Sequence, residues 1–208
     1  VYKELEDAIL SGKIKPGQKI VTEEISRMMD VSRIPVREAM GRLEAKGLIK
    51  TRPKWGSVVN RLSNENLKEI SEIRMLLEPR TAVKAISQAD EKFLFQLEKA
   101  QSAFAIARKK SETNELLKTN RCFHFLIYRQ ANAPILFDMI KQLWDKVSPY
   151  YHIMFQQTPD RSPTIGLSYH EKIVEGFKNQ DRDAVKKWLH ADLVDSTTFI
   201  QKLFDSYD

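Results

Sequence analysis

Arg33 and Arg37 stand one helical turn apart, near the start of a segment whose apolar residues recur with a helical period. Ser32 precedes them as a good helix N-cap, and Pro35 is tolerated because first-turn N–H groups have no intrahelical partner. Four residues at i, i+3, i+4 and i+7 predict the buried face: Val36, Ala39, Met40 and Leu43. A short helix with arginines at its exposed start is typical of one that enters a DNA groove.

The residue types indicate which DNA group each side chain would meet. A guanidinium can donate to guanine O6 and N7 together, so Arg33 is the best candidate for base readout, with Arg37 on the same outward side. The Ser32 hydroxyl and the helix N-terminus suit a phosphate. We expect Ile34 to touch a thymine methyl group; the alternative is an exposed apolar side chain that is merely tolerated.

The positive charge of the chain is concentrated around this helix. The net charge is +6, and residues 1–62 carry 13 Lys and Arg against 8 Asp and Glu, whereas residues 63–208 carry 21 against 20. Such a local basic surface attracts phosphates through counterion release. The alternative is a solvated basic face with no partner.

Residues 1–62 predict three helices followed by a hairpin. Turn signals at residues 11–12 and 16–17 separate the first two helices, and strand candidates at 48–50 and 57–60 flank a basic tip. Gly56 in that tip is free to take a positive φ. Lys54 would meet phosphate, while Trp55 would meet sugar or pack against the domain. This order of elements is a winged helix-turn-helix.

From Ser63 onward glycine nearly vanishes and long helical periods predict six helices, near 63–87, 90–109, 112–131, 134–157, 163–178 and 181–205. Each begins with a capping residue or an early proline: Ser63, Asp90, Ser111, Pro134, Pro163 and Asp181. We therefore predict a mainly α chain, with an N-terminal winged helix-turn-helix in residues 1–62 and an all-α bundle of about six helices in residues 63–208.

Polar residues interrupt the apolar faces of three predicted bundle helices. Asn120 and His124 lie four residues apart and share a face, and His170 and His190 each have apolar neighbours. A single histidine of this kind is more often a hydrogen-bonded core residue. Three of only four histidines in such settings favour convergence on one metal ion.

Arg74 lies inside an otherwise apolar stripe and needs a partner if it is buried. Glu78, four residues further on, is one candidate. The other is the carboxylate of a small-molecule effector, because a guanidinium binds carboxylates in bidentate fashion. The sequence leaves both alternatives open.

Other features restrict the class of protein. The chain has no run of 18 apolar residues, so we expect no membrane span, and from its first residues we expect no signal peptide. Its single cysteine, Cys122, cannot form an internal disulfide and fits a reducing, cytoplasmic location.

Several motifs carry a family resemblance: GKIKPG at 12–17, VSRIPVREAM at 31–40, WGSVV at 55–59, RMLLE at 74–78 and NRCFH at 120–124. In these the chain resembles GntR-type transcriptional regulators of the FadR subgroup, whose C-terminal domain is the all-helical FCD type. The resemblance implies that Ser32, Arg33 and Arg37 contact an operator, with Gly56 approaching from the wing. Asp30 replaces the usual turn glycine, and aspartate tolerates the left-handed conformation better than most residues.

The resemblance also implies a ligand site in the bundle. Many FCD domains bind a divalent metal through one aspartate and three histidines, and their effectors are commonly small organic acids. By resemblance His124, His170 and His190 stand at the histidine positions, and Asn120 stands at the aspartate position. A neutral amide is a weaker ligand than a carboxylate, so we expect a weakened site for zinc, nickel or iron. The alternative is a metal-free pocket in which these residues bind the effector directly.

We therefore expect a transcriptional regulator, a repressor that binds a short palindromic operator as a homodimer under the control of a carboxylate effector. The effector would contact Arg74 together with the histidines and Asn120. A metal-dependent enzyme with a three-histidine centre is the alternative, although the chain has no HExxH motif. A third candidate is a protein- or membrane-binding adaptor built on a winged helix.

Overall fold

Nine helices and three strands occupy the residues that the structure, a computed structural model, describes: 1–52, 56–157 and 166–205. In chain order the elements are α1 (Tyr2–Leu10), β1 (Lys19–Ile20), α2 (Thr22–Met28), α3 (Arg33–Ala45), β2 (Ile49–Arg52), β3 (Gly56–Val59), α4 (Asn64–Ile86), α5 (Glu91–Lys109), α6 (Thr113–Gln130), α7 (Pro134–Gln157), α8 (Leu167–Lys178) and α9 (Arg182–Asp205). The predicted fold class, a winged helix-turn-helix followed by a helical bundle, is confirmed.

The N-terminal part has its own apolar core beneath α3. The four residues predicted to form the inner face of α3 are all buried: Val36, Ala39, Met40 and Leu43. They pack against Leu5 and Ile9 of α1 and against the sheet. The turn between α2 and α3 contains Asp30 with φ of +51°, so aspartate does adopt the left-handed conformation there.

The wing is a small antiparallel sheet in which β3 lies between β1 and β2. Its hairpin register pairs Arg52 with Gly56 at the tip, where Gly56 takes φ of +85°, a value that disfavours any side chain. The strand β1 was not predicted, because two residues are too few to show a periodic pattern.

Helices α4 to α9 pack around a second apolar cluster, whose largest fully buried side chains include Trp144, Tyr128, Phe104 and Phe123. The most extensive helix–helix packing within it joins the first helix of the bundle, α4, to the last, α9. No described helix is both long enough and apolar enough to cross a lipid bilayer.

The predicted helix starts agree closely with the structure. Three predicted N-caps each accept a hydrogen bond from the backbone N–H three residues on: Ser63, Asp90 and Asp181. Ser111 does not cap α6 as predicted; Glu112 is the N-cap, because Ser111 has φ of +53° instead of the extended backbone of a cap. The predicted start at Pro163 lies outside the described residues, and α8 begins at Leu167.

Helix α7 joins the bundle to the winged helix. The Ser148 hydroxyl donates to the last carbonyl of α1 at 3.0 Å, and the Tyr150 hydroxyl accepts from the Leu62 N–H at 2.7 Å. The His152 ring covers Gly12 so closely that a Cβ there would lie 2.7 Å from His152 Cδ2. A side chain at position 12 would therefore push the two parts of the molecule apart.

Candidate functional site

The start of α3 carries four of the predicted DNA-contacting residues on its outer surface. Ser32 is the N-cap but makes no capping bond with its side chain, Ile34 is 69% exposed, and Arg37 is exposed. The Arg33 side chain is 61% exposed, and its Nη1 lies 3.2 Å from Glu23 Oε1 on α2. Since the opposite face of α3 is buried, these side chains project from a fixed position.

A cleft separates α3 from the wing, and Arg37 and Gly56 lie on its two sides. A Cβ on Gly56 would lie 3.3 Å from Lys19 Cε, so both the positive φ and the close approach of Lys19 favour glycine. The remaining predicted contact, Lys54, lies outside the described residues, as does Trp55.

Two histidines and an aspartate from three different helices meet inside the bundle. His124 Nε2 on α6 lies 3.2 Å from His170 Nε2 on α8 and 3.2 Å from Asp192 Oδ2 on α9. All three side chains are buried, and one ligand-type atom from each lies within 4.8 Å of the others. The His170 ring stacks on Phe123 with 3.9 Å between ring centroids. Imidazole nitrogens and a carboxylate oxygen form a donor set that zinc and iron accept.

The structure does not bring His190 into this cluster. His190 is exposed, whereas Asp192, two residues later, points inward. Two residues correspond to about 200° of helical rotation, so these two side chains lie on opposite faces of α9. The expectation that His190 faces the core is therefore wrong. Asp192 shares the buried face of α9 with Val185, Leu189 and Ser196. The helical spacing of these residues could have shown that Asp192, and not His190, faces the core.

Asn120 lies where the sequence predicts it, buried on α6 one turn before His124. The neutral amide of Asn120 does not leave the cluster without a negative group, because Asp192 supplies a carboxylate from another helix. The described cluster thus contains two imidazoles and one carboxylate, with the Asn120 amide on the same helix face as His124.

Arg74 is buried beside this cluster with each of its nitrogens paired. Its Nε lies 2.6 Å from Glu78 Oε1, its Nη2 lies 3.5 Å from Glu78 Oε2, and its Nη1 donates to the Tyr151 hydroxyl at 3.0 Å. The Glu78 carboxylate also accepts hydrogen bonds from Trp144 Nε1, at 3.1 Å, and from the Tyr128 hydroxyl. Of the two alternatives for Arg74, the structure contains the ion pair with Glu78.

Tyr128 connects this ion pair to the histidine cluster, since its hydroxyl lies 3.3 Å from His124 Nδ1. The sequence did not single out Tyr128, Trp144 or Tyr151, because aromatic residues at helical spacing are expected in any core. Only the packing of α4, α6 and α7 shows that their polar atoms converge on one carboxylate.

Burial controls the protonation of the cluster. It lowers the pKa of His124 to about 4 and that of His170 to about 3, because the protonated imidazoles would be desolvated. For the same reason it raises the pKa of Asp192 to about 6. Near pH 7 both imidazoles are therefore neutral and the aspartate is mostly ionised, which are the forms that bind metal ions.

Comparison with known proteins finds a match for the winged helix and another for the helical bundle. Residues 1–59 match the bacterial regulatory proteins of the gntR family, and residues 69–195 match the FCD domain. The chain belongs to the GntR family of transcriptional regulators. The resemblance seen in the sequence is thus confirmed, and this GntR protein falls among regulators, not enzymes.

Named relatives of this GntR regulator match along most of its length. The regulator McbR of Escherichia coli K12 is 25% identical over 91% of this chain and 86% of its own. The repressor RspR of the same organism is 30% identical over 90% of this chain and 81% of its own. The solved structure of E. coli McbR superposes with a TM-score of 0.85 at 24% identity and covers 100% of this chain and 96% of its own.

We expect acid to destabilise the metal-free protein through the buried histidines. Between pH 6.5 and 4 the unfolded chain binds protons at His124 and His170, whereas the folded chain keeps both imidazoles neutral. The free energy of unfolding therefore falls as the pH falls. Each such proton contributes about 1.4 kcal/mol per pH unit. Asp192 opposes this trend below pH 6, because the folded state keeps its proton, but it offsets only one of the two histidines.

Urea unfolding in the presence of EDTA, repeated between pH 7 and 4.5, measures this slope. The double variant His124→Gln, His170→Gln loses both histidine contributions and has a shallower slope. The exposed His190→Gln is the matched control and keeps the wild-type slope. An equal slope in the wild type and the double variant would contradict the assignment of neutral buried imidazoles.

Proposed function

We propose that this protein is a ligand-responsive repressor that binds a short palindromic operator as a homodimer. The observation that carries the proposal is the outer face of α3, where Arg33 and Arg37 project from a helix whose other face is fixed in the core. A helix of this kind reads bases from the major groove. Repression is supported by the name of its relative RspR, an HTH-type transcriptional repressor.

Within this proposal each predicted DNA-contacting residue has a definite partner on the DNA. Arg33, whose guanidinium is mostly exposed and lies 3.2 Å from the Glu23 carboxylate, donates to a guanine edge. The Ser32 hydroxyl makes no capping hydrogen bond and contacts phosphate, and Ile34 contacts a thymine methyl group. Arg37 lies in the cleft beside Gly56, which lets the wing backbone approach the DNA. Lys54 retains its predicted phosphate contact.

The bundle supplies the dimer contact in this proposal. The described part of the bundle exposes several large apolar side chains that a second copy would cover: Leu76, Phe95, Ile135 and Met139. A two-fold dimer presents two copies of α3 about 34 Å apart, one turn of DNA, which is why the operator is expected to be a palindrome.

A divalent metal fits the buried cluster of His124, His170 and Asp192. Ligand atoms around a tetrahedral zinc ion are about 3.3 Å apart, and His124 Nε2 lies 3.2 Å from both His170 Nε2 and Asp192 Oδ2. Both imidazoles are neutral near pH 7, and the Nδ1 atom of His170 has no hydrogen-bond partner among the described residues. We propose that these three residues hold zinc, nickel or iron, with Asn120 as a further ligand.

The effector is a small organic acid that binds in the same cluster. A metal ion held by His124, His170 and Asp192 would supply a Lewis-acidic site for its carboxylate. His124, His170 and Asn120 orient it, and Arg74 acts indirectly, because its guanidinium is already occupied by Glu78 and Tyr151. The positive charge of Arg74 is neutralised within the protein and therefore does not attract the acid on its own.

Helix α7 provides the route from this site to the DNA-binding part. Trp144 and Tyr151 of α7 lie in the buried polar network, and Ser148 and His152 of the same helix lie against α1 and the following turn. A shift of α7 on effector binding would therefore move the winged helix. Couplings of this type amount to about 1–3 kcal/mol.

Arg33→Ala is expected to remove sequence preference while leaving the fold intact. A bidentate contact to guanine contributes about 1–3 kcal/mol of discrimination, and the Arg33 side chain is mostly exposed. The measurement compares binding to a duplex that the wild type selects from a random pool with binding to a scrambled duplex.

The matched control for this test is Arg42→Ala, which removes the same charge from the same helix. The Arg42 guanidinium lies 3.9 Å from the centre of the Tyr2 ring, on the side facing α1. Arg42→Ala therefore weakens both duplexes alike and keeps their ratio. If Arg33→Ala retained the wild-type ratio, Arg33 would not be the base reader.

Asp192→Ala is expected to weaken zinc binding at least about 10-fold, because it removes the only carboxylate that the described residues bring to the cluster. His190→Ala should bind zinc like the wild type, since His190 is exposed on the opposite face of α9. Calorimetric titration of metal-free protein with zinc measures both. The reverse pattern, with loss in His190→Ala alone, would restore the three-histidine site.

The coupling can be tested in the same titration. Binding free energies are reciprocally linked, so if zinc and the effector site act on the winged helix, saturating operator DNA changes the zinc affinity of the wild type. Equal zinc affinities with and without operator would show that the metal does not take part in the switch.

A further inference from the structure

The hydroxyl group of Tyr128 stands between a carboxylate and a histidine of the buried cluster. It donates its hydrogen to Glu78 Oε2, and His124 Nδ1 lies 3.3 Å from the same phenol oxygen. A tyrosine hydroxyl has one hydrogen to donate. A hydrogen bond between Tyr128 and His124 can therefore run only in the other direction, with Nδ1–H donating to the oxygen of Tyr128.

The surroundings of Glu78 keep this direction fixed. Its two oxygens accept from Arg74 and Trp144 as well as from Tyr128, and all these groups are buried. A guanidinium is always a donor, and so is an indole N–H. Every neighbour in this set thus donates to the carboxylate. A carboxylate is also a stronger acceptor for the Tyr128 hydrogen than the neutral Nδ1 atom of His124.

We propose that Tyr128 is a positioning residue that fixes the tautomer of His124. A neutral imidazole carries one hydrogen, so holding it on Nδ1 leaves the lone pair on Nε2, the atom that faces His170 and Asp192. The inference rests on the metal site proposed above, for which this is the required ligand form. The two histidines then differ in how their rings are held, because His124 Nδ1 contacts Tyr128 whereas His170 Nδ1 lacks a hydrogen-bond partner among the described residues.

The tautomer of His124 in the metal-free wild type tests the proposal without any variant. Long-range 1H–15N correlation spectra of the imidazole rings distinguish a hydrogen on Nδ1 from one on Nε2. We expect His124 to carry its hydrogen on Nδ1, and Tyr128→Phe to populate the Nε2–H form, in which Nε2 donates to the Asp192 carboxylate. A wild-type His124 protonated on Nε2 would overturn the proposal.

Zinc affinity gives a second readout. Tyr128→Phe is expected to bind zinc about 10- to 100-fold more weakly than the wild type, because the ligand is no longer oriented before binding. Tyr169→Phe is the matched control, since the Tyr169 hydroxyl also donates to a carboxylate, that of Asp195 at 2.6 Å, but at the protein surface. It should bind zinc like the wild type.

The outcomes separate the two claims. If Tyr128→Phe and Tyr169→Phe both bound zinc with wild-type affinity, the positioning role of Tyr128 would be overturned while the metal site stood. If the wild type itself bound no zinc, the proposed metal site would fail, and the His124 tautomer in the spectra would still decide whether Tyr128 fixes it.

Discussion

A buried ion pair between Arg74 and Glu78 constrains the whole helical domain. Two charges inside an apolar bundle are costly unless every donor and acceptor is satisfied, and breaking such a pair costs more than the pair contributes. Here the requirement is met by Tyr128, Trp144 and Tyr151, which come from α6 and α7. The pair on α4 therefore sets the positions of two further helices, and with them the orientation of the histidine that Tyr128 contacts.

The same constraint connects the interior of the bundle to its surface. Because Trp144 and Tyr151 are tied to the ion pair, α7 cannot move independently of the buried cluster. Helix α7 also contacts the winged helix through Ser148, Tyr150 and the ring of His152. One helix thus contacts both the buried cluster and the winged helix, and the proposed switch therefore needs no long chain of intermediate residues.

The parts of this structure that depend on local pattern could be predicted from the sequence, and the parts that depend on three-dimensional convergence could not. The period of Val36 to Leu43 and the glycine at position 56 predict the recognition helix and wing correctly. The bundle helices were found to within a few residues, because their caps are local. The expectation that His190 faces the core was wrong, because residues two positions apart lie on opposite faces of a helix, and here Asp192 faces inward. The partner of Arg74 stayed open, because Tyr128, Trp144 and Tyr151 look like ordinary core residues until three helices are packed together.

The central claim is that His124, His170 and Asp192 form one metal site inside the helical domain. X-ray absorption at the zinc edge of the zinc-loaded protein tests this most directly, because scattering from imidazole rings counts the histidine ligands. The account predicts two imidazoles, with oxygen atoms completing the coordination. A coordination shell with three imidazoles would contradict the two-histidine site and indicate that His190 is a ligand. A shell with no imidazole would show that the metal binds elsewhere.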